Sequence, residues 1–237
     1  MADKRDQLPT KSTSAEVDAF LDKVAGMPTV KASGLRGRLI FAMDATASRE
    51  PSWDVACDIQ AEMFSETAAL GGLDIQLCYY RGFHEFFASP WFNNSADLLK
   101  QMTGVQCAGG TTQIKRVFKH ALEASRRDKV SALVFVGDCM EEDVDQLCDL
   151  GGQLGILGVP AFLFHEGFDP VAKRTFTELA RLTKGAYCPF DANSASQLRD
   201  LLGAVAVYAA GGRKALAHFG KRKGGLVRQL TDQMAKP

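Results

Sequence analysis

Several features are missing from this sequence, and each absence removes a class of function. No apolar run approaches the roughly 20 residues of a membrane-spanning helix. The start, MADKRDQLPTKSTSAE, lacks the apolar core of a secretory signal, so a cytoplasmic protein is expected. Charge is balanced, with 28 Lys and Arg against 28 Asp and Glu, which gives the whole chain no electrostatic pull toward nucleic acid or anionic lipid. The six cysteines (57, 78, 107, 139, 148 and 188) form no CxxC pair and no zinc-like spacing, so free thiols are expected. The chain contains no GxxxxGK[ST], GxSxG or GxGxxG, the loops of nucleotide binding and of serine hydrolysis. Internal repeats and low-complexity tracts are also lacking.

What is present is enough apolar material for a core, 46% of 237 residues, arranged in a regular alternation. Strands are expected at RLIFAMD, LDIQLCYYR, SALVFVGD, VPAFLFHEG and AYCPFD, and a short antiparallel edge strand at HEFFASPWF. Helices are expected between them. SWDVACDIQAEMFSETAAL carries Val55, Ile59, Met63 and Leu70 at helical spacing. SADLLKQM, the segment after GGTT, EEDVDQLCDLGGQLG, PVAKRTFTELARLTKG (with Gly185 as its C′ residue) and SASQLRDLLGAVAVYAA complete the set. Strands that read as continuous apolar runs and alternate with helices indicate a mostly parallel, doubly wound α/β sheet covered on both faces.

Three regions follow. Residues 1–36 hold an N-terminal helix, with Ser14 as its N-cap, and a linker. Residues 37–210 hold the α/β domain. Residues 211–237 form a basic helical tail, with seven Lys and Arg against the single acid Asp232.

In open parallel sheets ligands bind beyond the carboxyl ends of the strands. The first strand ends in LIFAMDATASRE, which places Asp44, Thr46 and Ser48 at alternate positions, followed by Arg49. The glycine turn GGTT carries Thr111 and Thr112, VFVGD ends at Asp138, and the next strand ends at His165 and Glu166. A parallel sheet brings all of them to one rim. Two carboxylates and three or four hydroxyls are hard oxygen donors, suited to Mg²⁺, Mn²⁺ or Ca²⁺ rather than zinc. So few formal charges leave the ion in need of one more anionic ligand. Small Ala45 and Ala47 between the donors would let neighbouring loops close in. His165, Glu166 and Arg49 are candidates to modulate the site or touch a partner.

This layout resembles the von Willebrand factor type A family and its metal-ion-dependent adhesion site. That pattern is Asp-x-Ser-x-Ser after the first strand, a Thr from a later glycine-rich loop, and an Asp after the fourth strand. Asp44, Thr46 and Ser48 match the first element, with Thr46 in place of Ser but keeping the hydroxyl. Asp138 matches the last, and either Thr111 or Thr112 matches the middle one, Thr112 being favoured by the apolar Ile114 two residues on. The resemblance covers about residues 37–208. It implies Mg²⁺ held directly by hydroxyls, often through water by the aspartates, and completed by an Asp or Glu of another protein. It also implies partners such as AAA+ ATPases.

Plainer readings compete. Asp44 and Ser48, the two threonines, and Asp138 could each be helix caps. A haloacid-dehalogenase-type phosphatase also places an Asp after its first strand, but needs a second acid two residues on, where this chain has Thr46. Catalysis is therefore the alternative reading. Nucleic-acid binding by the basic tail is a third, weakened by the near absence of interleaved aromatics, with Phe219 alone.

Overall fold

A computed structural model of the protein describes residues 36–190 and 195–223. The expected N-terminal helix and the end of the basic tail lie outside the described residues. In chain order the elements are β1 (Gly37–Asp44), α1 (Glu50–Thr67), β2 (Leu73–Arg81), β3 (Glu85–Phe92), α2 (Ser95–Thr103), α3 (Ile114–Arg127), β4 (Ala132–Gly137), α4 (Val144–Ile156), β5 (Ala161–Glu166), α5 (Pro170–Leu182), β6 (Ala186–Phe190) and α6 (Ala195–Lys223).

The six strands form one sheet in the order β3-β2-β1-β4-β5-β6. All neighbours are parallel except β2 and β3, which are antiparallel. β3 is an edge strand, which is where Pro90, with no N–H to donate, is tolerated.

Period-two alternation along buried strands feeds two cores. Leu39, Phe41 and Met43 of β1 point into a layer shared with α1, α2 and α6, whereas Ile40 and Ala42 point into the layer under α3, α4 and α5. Phe41 and Ile40 are fully buried on opposite faces. This two-sided burial is why β1, β4 and β5 read as unbroken apolar runs.

Two details differ from the sequence reading. The left-handed residue after α5 is Lys184 (φ 56°), not Gly185. Lys184 N–H bonds the Arg181 carbonyl at 3.2 Å and Gly185 N–H bonds the Ala180 carbonyl at 2.8 Å, so Gly185 is one position further along the terminating motif. Gly185 is required for another reason: a Cβ there would lie 1.8 Å from the Ala161 carbonyl oxygen of β5. The second difference is at the start of the basic tail. The helix bends at Gly212 (φ 67°) and continues to Lys223, with Leu216 and Phe219 buried in the α1–α6 core. This first part of the tail is thus packed against the domain.

Candidate metal centre

β1 and β4 are adjacent and parallel, so Asp44 and Asp138 leave the sheet side by side at its carboxyl edge. Asp44 is 1% exposed and is held by both oxygens. Its Oδ1 accepts from Thr46 N–H at 2.7 Å, and its Oδ2 accepts from Tyr80 Oη at 3.1 Å. Tyr80 lies directly opposite Asp44 in the β1–β2 register. Burial, opposed by these hydrogen bonds and aided by the nearby Asp138, raises the Asp44 carboxyl to about 6. Burial and the Asp44 charge likewise hold the Tyr80 phenol protonated, well above its ordinary value.

After Asp44 the chain makes one 3₁₀ turn, Ala47–Arg49, closed by Arg49 N–H on the Thr46 carbonyl at 2.9 Å. That turn brings Thr46 Oγ1 to 3.4 Å from Ser48 Oγ, and Ser48 Oγ donates to Asp138 Oδ2 at 2.9 Å. Adjacent ligands of an octahedral Mg²⁺, each about 2.1 Å from the ion, are roughly 3 Å apart. The Ser48–Asp138 separation is close to such an edge, and the Thr46–Ser48 separation is longer. Ala45 is fully buried, and its carbonyl accepts from Ala108 N–H at 3.1 Å, which ties the neighbouring loop to the end of β1. Ala47 is exposed.

The two threonines are placed differently. Thr111 is exposed, with its N–H on the Gly82 carbonyl at 3.2 Å. Thr112 is buried and tied to the loop after β4: its N–H donates to Glu141 Oε2 and its Oγ1 accepts from Glu141 N–H, both at 3.1 Å. The loop carrying Thr112 is thereby joined to the loop carrying Asp138.

None of these side chains caps an α-helix, and Thr46, at the N-cap of the 3₁₀ turn, makes no side-chain capping bond. The N-terminus of α1 has no side-chain cap, α4 is capped by Asp143, and the first amides of α3 are taken by Glu142, which accepts from Ile114 N–H at 2.5 Å and Lys115 N–H at 3.0 Å. Capping is done elsewhere, which leaves the rim hydroxyls for another use. Asp138 Oδ1 is buried and has no hydrogen-bond partner. A buried carboxylate oxygen without a partner is costly. Among the described residues no three His, Cys, Asp or Glu side chains gather as a metal site.

Beneath the rim lies a second set. Arg49 forks onto Glu166, with Nη2 to Oε1 at 3.0 Å and Nη1 to Oε2, and Ser52 Oγ also donates to Glu166 Oε2. Arg49 Nε stands 3.4 Å from Asp138 Oδ2. His165, 1% exposed, bridges the Asp138 carbonyl and Tyr187 Oη, each at 3.0 Å, and burial lowers its basicity. As they stand, Arg49, His165 and Glu166 brace the Asp138 loop from below and do not face outward. The residues that sequence reasoning missed are Tyr80, Glu141 and Glu142. Their roles depend on strand register and on contacts between loops, and the only local signal was the acidic pair after VFVGDCM.

Comparison with known structures decides the fold. Residues of this chain superpose on a von Willebrand factor type A protein from Catenulispora acidiphila with a TM-score of 0.59 at 10% identity, covering 73% of this chain and 43% of that one. The fold is that of a von Willebrand factor type A domain. The SpRpn10 VWA domain gives a TM-score of 0.56 at 13% identity, over 75% of this chain and 98% of that domain. Proximal thread matrix protein 1 from the mussel byssus, with a zinc-occupied MIDAS motif, gives 0.53 at 14% identity, over 72% of this chain and 46% of that one. The chain thus spans a whole SpRpn10-type VWA domain but less than half of the other two proteins. No protein-family model matches the chain, and no curated protein sequence matches it. No helix among the described residues is long and apolar enough to cross a membrane.

Proposed function

We propose that this VWA-fold chain is a cation-dependent protein-interaction module. Thr46, Ser48 and Thr112 supply hydroxyl oxygens, and Asp44 and Asp138 supply the charge, to one Mg²⁺ at the rim. Mn²⁺ or Ca²⁺ suits the same hard donors. The ion's remaining position is taken by an Asp or Glu of another protein, an AAA+ ATPase being among the partners that the resemblance implies. The observation that carries this reading is the Thr46–Ser48–Asp138 cluster, in which Ser48 Oγ holds Asp138 Oδ2 while the buried Oδ1 of the same carboxylate has no hydrogen-bond partner.

A zinc-occupied MIDAS in the mussel protein supports a divalent ion in this fold. Phosphatase chemistry would need a second acid at Thr46, which carries no ionisable proton near neutral pH.

The test is titration calorimetry of Mg²⁺ into the full chain, beside Ser48→Ala and Asp138→Asn. One site in the wild type, weakened at least tenfold in each variant, is expected. Equal binding by all three overturns the reading.

A further inference from the structure

Charge is balanced over the whole chain but not along its helices. α3 carries Lys115, Arg116, Lys119, Arg126 and Arg127 against the single acid Glu123. At about 100° per residue these side chains share one stripe, opposite the buried Val117, Phe118 and Ala121. The bonds they make are to neutral acceptors. Lys115 reaches the Gln146 side chain, Arg116 the His84 carbonyl at 2.7 Å, Arg126 the Gln153 side chain at 3.3 Å, and Arg127 the Glu123 carbonyl at 3.4 Å. Among the described residues none of the five makes an ion pair with a carboxylate. Like charges in such a row repel one another, so the stripe favours an anionic partner.

One flank of the stripe is aromatic. Contacts join α3 to the β2–β3 hairpin at three levels. At the turn, Arg116 holds the His84 carbonyl, next to Phe83, which is 67% exposed. Midway, the Phe86 ring lies 5.7 Å from the His120 ring, and His120 Nε2 meets Gln76 Oε1 at 2.8 Å. At the far end, the Arg38 guanidinium stands 5.2 Å over the Trp91 ring and pairs at 2.8 Å with Asp128, the residue after α3. Three acids of this flank are already paired: Asp74 with Arg36, Glu85 with Arg81 and Asp128 with Arg38. The opposite flank is unlike it, because α4 exposes Asp145 and Asp149 there, beside Gln146 and Gln153. A polyanion is thereby confined to the β3 side.

The rings decide which polyanion. An unpaired base has an open face to stack on an aromatic side chain, whereas a duplex hides its base faces and an acidic peptide has none. We propose that the strip between α3 and β3 binds single-stranded nucleic acid without regard to sequence. Arg116, Lys119 and Arg127 take phosphates, and Phe83 and Phe86 take bases. Arg116 to Arg127 spans about 16 Å of helix, room for four to five nucleotides at the stacked spacing of about 3.4 Å. The strip is separate from the candidate metal centre and needs no cation.

The probes are fluorescent oligo(dT) and oligo(U) of about 12 nucleotides and a duplex of equal length, followed by anisotropy with the full chain in EDTA at about 20 to 200 mM NaCl. Lys119→Gln with Arg127→Gln, Phe83→Ser and Phe83→Tyr are measured beside the wild type. These side chains are exposed, and thermal melts confirm that each variant is folded. Three phosphate contacts give a slope of log affinity against log salt of about −2, and the double charge variant falls to about −0.7. Phe83→Ser is expected to weaken binding about fivefold or more at an unchanged slope, and Phe83→Tyr to retain it. Tighter binding of oligo(U) or of oligo(dT) upholds the proposal and assigns the strand as RNA or DNA. Absence of binding at the lowest salt overturns it. A slope unchanged in the double charge variant assigns binding to the basic tail and overturns it too. So does tighter binding of the duplex than of either single strand. Displacement by polyglutamate as effective as by unlabelled oligo(dT), with no effect of Phe83→Ser, assigns the stripe to an acidic protein and overturns it as well.

Discussion

Ser48 Oγ donates to Asp138 Oδ2 at 2.9 Å, although 90 residues separate the two in the chain. The bond spends the Ser48 proton on the carboxylate, so in its 3.4 Å contact with Thr46 Oγ1 the Ser48 oxygen is the acceptor. A hydroxyl fixed in that sense offers a further partner its oxygen and not its proton, which is what the proposed centre requires of it. Asp138 is steadied by Ser48 from the front and by the Arg49 guanidinium from behind, and its other oxygen stays bare.

Asp44 costs stability when ionised. Its folded value of about 6 lies above the ordinary 3.8, so its contribution is most favourable below pH 4 and is lost as pH rises through 6. About two units correspond to roughly 3 kcal/mol. Asp44→Asn is therefore expected to be more stable than the wild type by about that much at pH 7.5 in EDTA, converging below pH 4. Urea unfolding across that pH range checks it.

Cation and proton compete for Asp44, so Mg²⁺ affinity is expected to fall as pH drops below about 6. Saturating Mg²⁺ at pH 7.5 should raise the Tm of the wild type and leave Asp44→Asn unmoved. A thermal shift of equal size in both proteins contradicts this.

The Arg49–Glu166 pair is buried, so breaking it alone leaves a charge without a partner. Arg49→Met is expected to destabilise by about 3–5 kcal/mol, and the pair Arg49→Met with Glu166→Leu to recover most of that loss. Denaturant midpoints of the two variants decide the matter. An equally large loss in the double variant would show that Arg49 matters for packing beyond its charge.

Gly110 lets the threonine loop lie on the β2–β3 turn: a Cβ there would come within 1.9 Å of the Gly82 carbonyl oxygen. Gly110→Ala must push that backbone apart, at a cost of about 1–3 kcal/mol. Because Thr111 and Thr112 follow directly, Mg²⁺ affinity should drop with it. Calorimetry at a temperature where the variant is folded separates the two effects.

The sheet was legible because β1, β4 and β5 are buried on both sides and carry nothing polar until their ends. Two of the three rim elements were legible because Asp44, Thr46 and Ser48 follow one such run and Asp138 another; the threonine loop was marked only by its glycine pair. Long-range pairings were not. That Tyr80 serves Asp44 follows from a strand register that no local pattern encodes. That Glu142 caps α3 depends on two loops meeting, and without it Thr112 reads as an ordinary cap. Arg49, His165 and Glu166 were expected to modulate the site or touch a partner; their chain positions are at the strand ends, but their side chains are buried among α1, β5 and the Asp138 loop. Lys184 holds the left-handed position, and Gly185 is the residue against Ala161; neither role is marked by local pattern.

The most direct test of the central claim is a crystal of the full chain grown in Mn²⁺, with anomalous diffraction measured at the manganese edge. The account predicts a single rim peak in contact with the hydroxyl oxygens of Thr46 and Ser48 and beside Asp138. Full-occupancy manganese elsewhere, or a rim without a peak at millimolar Mn²⁺, would contradict it.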